Sequence, residues 1–201
     1  MSGPDVVVAV NPRTAWQRFH GCDPAYIRDT CHSRCCDAPS RPGGTMITIH
    51  PSERAAVEAR GGLVRRNLLV TDGCCTFKDG RGLCSLHVTP DKPFGCIASP
   101  WTLSPGGRSL VIRNRYRLLV CYAGTTRRRG GSAAGFPPAF VAFRASLDLI
   151  LGAERAARLC ARLEEFGDAR ADGYRGPPCY RVPVPRRTWL ILRDNDRVKH
   201  D

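Results

Sequence analysis

The sequence lacks the long apolar segment that a membrane-spanning protein would carry. No stretch approaches the ~18–20 continuous apolar residues that such a helix requires. The early run Val6–Val10 is shorter than the core of a signal peptide, and it follows Asp5 instead of a basic segment. We therefore expect a soluble, cytoplasmic protein without a membrane partner.

Common catalytic motifs are also missing from the sequence. It contains no Walker-type loop, no Gly-x-Gly-x-x-Gly after a strand, no His-Glu-x-x-His and no Gly-x-Ser-x-Gly. The Cys-x3-Cys-x2-Cys arrangement that binds the cluster of radical enzymes is missing too. No reaction is therefore predicted, and whether the protein is an enzyme stays open.

Lysine is scarce, although the chain is basic. The 201 residues include 31 Lys and Arg against 18 Asp and Glu, for a formal net charge of +13. Only Lys78, Lys92 and Lys199 are lysines, so all the other cations are arginines. Such a skew can reflect codon composition, and it makes the charge weak evidence about function. A pI near 9.7 permits attraction to nucleic acid without requiring it.

Cysteine is the residue in excess. The chain has 11 cysteines, of which nine fall between residues 22 and 121. Closely spaced cysteines in a reducing compartment usually bind metal or do redox chemistry, because disulfides do not persist there. An odd number also fits a closed disulfide framework poorly. The nine are Cys22, Cys31, Cys35, Cys36, Cys74, Cys75, Cys84, Cys96 and Cys121.

Length and patterning predict a small α+β protein. At roughly 100–150 residues per domain, the chain suits one domain or one domain with a tail. We divide it into a cysteine-cluster domain over residues 1–124, an Arg/Gly-rich loop over 125–136, and a helical, Pro-rich segment over 137–201 that packs on the first part. The predicted elements are a helix over 24–36, a strand over 46–50, a helix after Pro51, a hairpin over 75–86, a strand over 110–121, helices from 137 to 166 with a break near Gly152, and a strand over 188–192.

The predicted helices and strands bring the cysteines of two groups close together, which makes them candidate metal ligands. On a helix, Cys31, Cys35 and Cys36 would share nearly one face. An Asp-Gly turn would fold two short strands together and bring Cys75 close to Cys84, as in a metal-binding knuckle.

A third group consists of Cys96 and Cys121. Zinc prefers four tetrahedral N/S ligands, and iron–sulfur clusters are usually held by four thiolates, so seven or eight thiolates exceed one zinc ion. Two metal sites, one polynuclear cluster or some spectator cysteines remain open. Burial as a free core thiol is the alternative, which we prefer for Cys160 because it lies on an apolar helix face.

The order of the motifs points to a family. The motifs are Cys-x3-Cys-Cys, the helix start Pro51-Ser52-Glu53-Arg54, Cys75-Thr76-Phe77, Gly82-Leu83-Cys84-Ser85-Leu86-His87 and Lys92-Pro93-Phe94-Gly95-Cys96-Ile97-Ala98-Ser99-Pro100. Over about residues 22–124, the chain resembles the zinc- or iron-chelating domain family of the CxxCxxCC type, the YkgJ-like cysteine-cluster family. It departs from the family pattern in the first spacing, and at Lys92, His87 and Ile97, where Arg, Tyr and Arg are usual.

The resemblance implies a metal-chelating module that binds an iron–sulfur cluster or zinc in a structural or redox role. Carried over by position, the ligands are Cys31, Cys35, Cys36, Cys75, Cys84, Cys96 and Cys121, with Cys22, Cys74, His32 and His87 as alternatives.

Two hypotheses compete with this one. In the first, the protein is a basic nucleic-acid-associated protein in which metal only supports the fold. Arg113, Arg115 and Arg117 would then alternate on one strand face and contact phosphates, although such a face is more often simply solvated. In the second, the protein is a metal-dependent enzyme with one open coordination position.

Overall fold

The computed structural model describes residues 3–37, 47–65, 68–69, 73–87 and 89–197. Within these ranges the chain forms strands and α-helices in one mixed arrangement, which confirms the α+β class. No helix there is long and apolar enough to cross a membrane. The strands are β1 (Val6–Val10), β2 (Ile47–Thr48), β3 (Val64–Arg65), β4 (Leu68–Leu69), β5 (Trp101–Leu103), β6 (Ser109–Ile112) and β7 (Tyr180–Val184). The helices are α1 (Pro12–Ala15), α2 (Pro24–Tyr26), α3 (Arg54–Ala59), α4 (Phe94–Ala98), α5 (Ala123–Arg128), α6 (Ala139–Ala142), α7 (Arg144–Leu151), α8 (Ala153–Phe166), α9 (Asp168–Gly173) and α10 (Arg186–Arg197).

The larger sheet joins sequence from near both ends of the described chain. Its order is β5-β6-β1-β7, with β1 parallel to β6 and antiparallel to β7. The valines of β1 favour a strand because they are β-branched, and Val8 and Val10 point into the core. Strand β7 belongs to the predicted C-terminal segment, yet it pairs with β1 along its whole length. The first and last predicted segments therefore share one sheet.

Helices α7 and α8 pack on each other and contact β7. Gly152 separates them with a φ of +85°, so the predicted break at this residue is confirmed. On α8, the buried residues recur at helical spacing and include Cys160, which is a core thiol as predicted. Together with Trp101, Phe19 and Phe140, these side chains form the core of what we call the main lobe, which consists of residues 3–21 and 99–197.

A second, smaller core lies under the three-stranded sheet β2-β4-β3, whose strands have two residues each. The predicted strand over 46–50 is confirmed as β2 within the described residues, and Met46 lies outside them. The predicted helix after Pro51 is confirmed as α3, which follows a 3-10 turn, Pro51–Glu53, and ends before Gly61. We call the described part of residues 22–98 the cysteine lobe. Its core consists of Ile47, Ile49, Val57, Val64, Leu69, Cys75, Phe77 and Leu86.

The predicted helix over 24–36 is wrong as a continuous element. Helix α2 passes into a π-helical turn, Ile27–Cys31, and a separate 3-10 turn spans Arg34–Cys36. Between them His32 and Ser33 adopt left-handed backbone conformations, with φ of 51° and 44°, which end the helical path. Cys31 therefore does not share a helix face with Cys35 and Cys36.

The predicted strand over 110–121 is correct only as far as Ile112. Its partner β5 begins directly after Pro100, which has no N–H to donate, and the chain turns into a 3-10 helix, Asn114–Leu118. Arg113 is buried at the start of that turn. The proposed strand face of alternating arginines is therefore wrong, because these residues are not on a strand.

The predicted loop over 125–136 begins as helix. Helix α5 covers Ala123–Arg128, and the hydroxyl groups of Thr125 and Thr126 donate hydrogen bonds to the backbone carbonyls of Arg117 and Val120. These hydrogen bonds stabilise helix α5, whose last turn carries the like-charged Arg127 and Arg128.

The predicted strand over 188–192 is also wrong, because these residues lie in α10. The indole Nε1 of Trp189 donates to the Gly107 carbonyl over 3.0 Å, and Leu192, three residues on, is fully buried. Residues three positions apart on a helix share a face, so this spacing buries one face of α10. The β-branched and aromatic residues of 188–192 favour a strand when only the sequence is considered. The preceding residues 180–184 form the strand instead.

Candidate metal centre

Six thiols line one cavity of about 260 Å³ in the cysteine lobe. Phe77 and Leu86 of the small core form part of its apolar wall, and Tyr116 reaches it from the main lobe. The Sγ atoms of Cys35 and Cys36 are 3.9 Å apart. The six cysteines are Cys22, Cys35, Cys36, Cys75, Cys84 and Cys96.

Backbone pairing joins two separate cysteine segments. The N–H of Cys75 donates to the carbonyl of Cys36 over 2.7 Å, and Asp37 forms a β-bridge with Cys74. The 3-10 turn before Asp37 carries both Cys35 and Cys36. Thiols almost forty positions apart in the sequence are thus held on the same wall.

A turn at Asp79 places Cys84 opposite this segment. The Asp79 carboxylate accepts hydrogen bonds from the N–H groups of Arg81 (2.9 Å) and Leu83 (2.8 Å), an arrangement typical of Asp in turns. Lys78 then forms an isolated bridge with Cys84. The predicted hairpin is confirmed in outline, although its arms are single bridges and not strands.

Glu53 positions the helix that carries Cys96. Its Oε1 accepts a hydrogen bond from the N–H of Phe94 over 2.6 Å, and its Oε2 accepts one from the N–H of His50 over 3.0 Å. One carboxylate therefore joins the start of α4 to the capping box before α3. At the other end of α4, the Ser146 hydroxyl contacts the carbonyls of Ile97 (2.7 Å) and Ser99 (3.0 Å).

The cavity is an unfavourable place for free thiolates. Cys22 keeps much of its surface exposed, and partial desolvation and the nearby thiols of Cys35 and Cys31 raise its pKa. Burial and then Cys75 raise the pKa of Cys96 as well, and burial raises the pKa of Cys75. A bound cation would reverse this effect, because it favours the deprotonated ligand.

Backbone N–H groups contact two of the sulfur atoms. A hydrogen bond with Cys121, together with the N–H groups of Arg34 and Ser33, lowers the pKa of Cys31 to about 6 despite its burial. The N–H of Phe77 likewise favours the thiolate of Cys75. Hydrogen bonds of this kind stabilise sulfur ligands and adjust the potentials of iron–sulfur clusters.

The predicted ligands fall into two groups. Five of the seven line the cavity, together with Cys22, which was an alternative. Cys31 and Cys121 lie outside the cavity wall as a buried, hydrogen-bonded pair, which raises the pKa of Cys121.

The other alternative ligands are less well placed. Cys74 and His32 are exposed residues outside the wall of the cavity. His87 lines it, but its Nδ1 lies 3.0 Å from the Lys92 ammonium, whose charge lowers the pKa of His87.

Two of the three lysines of the sequence lie at this site. Lys92 lines the cavity, where its charge opposes the effect of burial on Cys22 and Cys96. Lys78 pairs with Asp37 over 2.6 Å, with both side chains largely buried, and its charge favours the thiolate of Cys31. Sequence reasoning missed both residues, and the scarcity of lysine was the signal that could have found them.

The donor chemistry fits a soft metal. All eleven cysteines are free, and thiolates select zinc, copper(I) or iron–sulfur clusters over hard cations. Within the described ranges, no group of three or more Cys, His, Asp or Glu side chains is arranged to hold a metal ion. Comparisons with models of protein families, with curated proteins and with solved structures found no match to this chain.

Proposed function

We propose that the protein binds a metal centre, an iron–sulfur cluster or zinc, through the thiols of this cavity. The observation that carries the proposal is that six cysteines from four stretches of the chain line one cavity of about 260 Å³. Free thiols are common in protein cores. Two adjacent cysteines are harder to bury in the same core, because neighbouring side chains point in different directions. A shared ligand explains why the six occupy one cavity.

The number of thiols favours a polynuclear centre. A mononuclear zinc site uses four ligands, whereas the cavity offers six. Bound there, the centre would either hold the small lobe together or carry electrons. The chain's own part is to supply the thiols, to exclude water with Phe77 and Leu86, and to balance negative charge with Lys92. The motif resemblance to the YkgJ-like cysteine-cluster family supports the same proposal.

The test is anaerobic purification of the full chain, followed by metal analysis and a visible spectrum. Brown protein that contains iron and acid-labile sulfide would establish a cluster. Colourless protein with one or two zinc ions per chain would establish zinc. Folded protein that is free of metal after purification and does not take up iron or zinc would overturn the proposal.

A set of matched variants identifies the ligands. Cys35→Ser and Cys96→Ser should lose metal, because each removes a cavity thiol, and the loss of metal should also lower stability. Cys160→Ser is the control, since Cys160 lies in the core of the main lobe. Cys31→Ser should retain metal if the cavity thiols are the ligands, and its complete demetallation would replace this ligand set by one that includes Cys31.

A further inference from the structure

A second cavity lies in the main lobe, beside the 3-10 turn Asn114–Leu118 and the paired strands β5 and β6. Its volume is about 540 Å³. The polar residues that line it are Thr14, Thr102, Ser104, Arg113, Asn114, Arg115 and Arg117. It shares no lining residue with the cysteine cavity.

The charge of this cavity is of one sign. Three of its lining residues are arginines, and no Asp or Glu is among the lining residues that the structure describes. The Nε of Arg117 donates a hydrogen bond to Oε1 of Gln17 over 3.3 Å, a neutral partner that leaves the positive charge of Arg117 in place. A concave site lined by arginines concentrates a positive potential and attracts anions.

Arg113 provides an independent observation. It is only 7% exposed, and its Nε and Nη2 atoms are buried without a hydrogen-bond partner among the described residues. A buried cation without a partner is costly, and the cost falls when an anion lies next to it. Since Nε and Nη2 are closed off from the cavity that Arg113 lines, an anion bound there would offset the charge of Arg113 without contacting these two atoms.

The size and lining of the cavity favour an organic anion. Its volume falls in the range of about 300–1,000 Å³ that is typical of small-molecule sites. Pro105 and Val111 supply apolar wall, and the Ser104 hydroxyl, which accepts a hydrogen bond from the Ser109 N–H, has its own hydrogen to donate. Guanidinium groups match the oxygens of a phosphate well.

We propose that this cavity binds a small organic phosphate, with its phosphate group at Arg113, Arg115 and Arg117 and its organic part against the apolar wall. A nucleic-acid strand fits the observations less well, because Arg113 is recessed and an extended backbone needs an open surface. The proposal is independent of the metal proposed for the cysteine lobe.

The test is calorimetric titration of the protein as purified with AMP, adenosine and inorganic phosphate. A salt concentration of about 150 mM suppresses the general attraction of a chain of charge +13 for anions. AMP should bind once per chain, more tightly than inorganic phosphate, and adenosine should not bind. Equal affinities for AMP and inorganic phosphate, or no AMP binding, would overturn the assignment to an organic phosphate.

Variants then locate the site. Arg115→Gln and Arg117→Gln should each weaken AMP binding about tenfold or more, since each removes a charged contact. Arg129→Gln removes the same charge at an exposed position outside the cavity and should leave binding unchanged. If the three variants behave alike, or if a short oligodeoxythymidine binds more tightly than AMP, the proposal fails.

Arg113→Met separates function from folding. Since it removes a buried cation without a partner, it should raise the melting temperature of the free protein while it abolishes AMP binding. Unchanged AMP binding in this variant, provided that it folds, would show that Arg113 is not part of an anion site.

Discussion

The main lobe and the cysteine lobe are stabilised in different ways. The main lobe has strands of three to five residues, a helix of 14 residues, and fully buried side chains such as Trp101, Phe140 and Leu163. The cysteine lobe has two-residue strands and a core of small extent, beside which the thiols lie. Apolar burial accounts for the first lobe, whereas small units of the second kind usually depend on metal or cross-links. The comparison predicts that the two lobes respond differently to the same perturbations.

The largest effect should come from the core of the main lobe. Leu163→Ala removes a fully buried side chain and should lower the free energy of unfolding by about 4 kcal/mol, through lost burial and the cavity left behind. Denaturant titration with and without a chelator measures it. If the loss in free energy of unfolding changed strongly when the metal is removed, the stability of the main lobe would depend on the metal, which would contradict the comparison.

In the cysteine lobe, the buried ion pair of Lys78 and Asp37 should be the most sensitive point. Lys78→Met leaves the Asp37 carboxylate buried without its partner, and stability should fall by about 3 kcal/mol. Glu58→Gln, which breaks the exposed pair with Arg54, is the control and should cost less than about 1 kcal/mol. Similar losses of stability in both variants would show that the buried Lys78–Asp37 pair contributes no more to stability than an exposed pair does.

A smaller effect is expected at Glu53. Glu53→Gln keeps one oxygen acceptor but cannot accept both backbone hydrogen bonds, so stability should fall by about 1–2 kcal/mol. Hydrogen exchange at the Phe94 or His50 amide should accelerate. Glu58→Gln on the exposed face of α3 is the matched control, and identical exchange in the two variants would rule out the bridging role of Glu53.

The smallest effect concerns the titration of His87. The charge of Lys92 lowers the pKa of His87, so protonation below its ordinary pKa favours the unfolded chain, and stability falls as the pH drops through that range. Lys92→Gln should raise the pKa of His87 toward its usual value and reduce this acid sensitivity. An NMR titration of the ring protons measures the shift, with Arg129→Gln as a control for net charge.

Local patterns predicted the parts of the molecule that local physics determines. The break at Gly152, the buried face of α8 and the turn at Asp79 each follow from a few neighbouring residues. Five of the seven cysteines that the motifs mark as candidate ligands line one cavity, whereas Cys31 and Cys121, each assigned to a group with them, do not.

Other parts have no local signal. The pairing of β1 with β7 joins residues 6 and 184, and no short pattern encodes such a contact. His32 and Ser33 adopt left-handed conformations that their residue types rarely take, so the separation of Cys31 from Cys35 could not be foreseen. In α10, residues 188–192 have the composition of a strand, and contacts with the main core override that preference.

The position of β1 inside the larger sheet has a consequence for synthesis of the chain. Because β7 supplies one of its two neighbours, the sheet cannot be completed on the ribosome until residue 184 has emerged. All nine cysteines between residues 22 and 121 are translated before then. Pairing β1 with β7 also closes a long loop, and the conformational entropy lost in closing it slows folding. The time before the sheet forms is therefore longer. A nascent chain therefore presents its cysteine lobe to the cell before the larger sheet of the main lobe is complete.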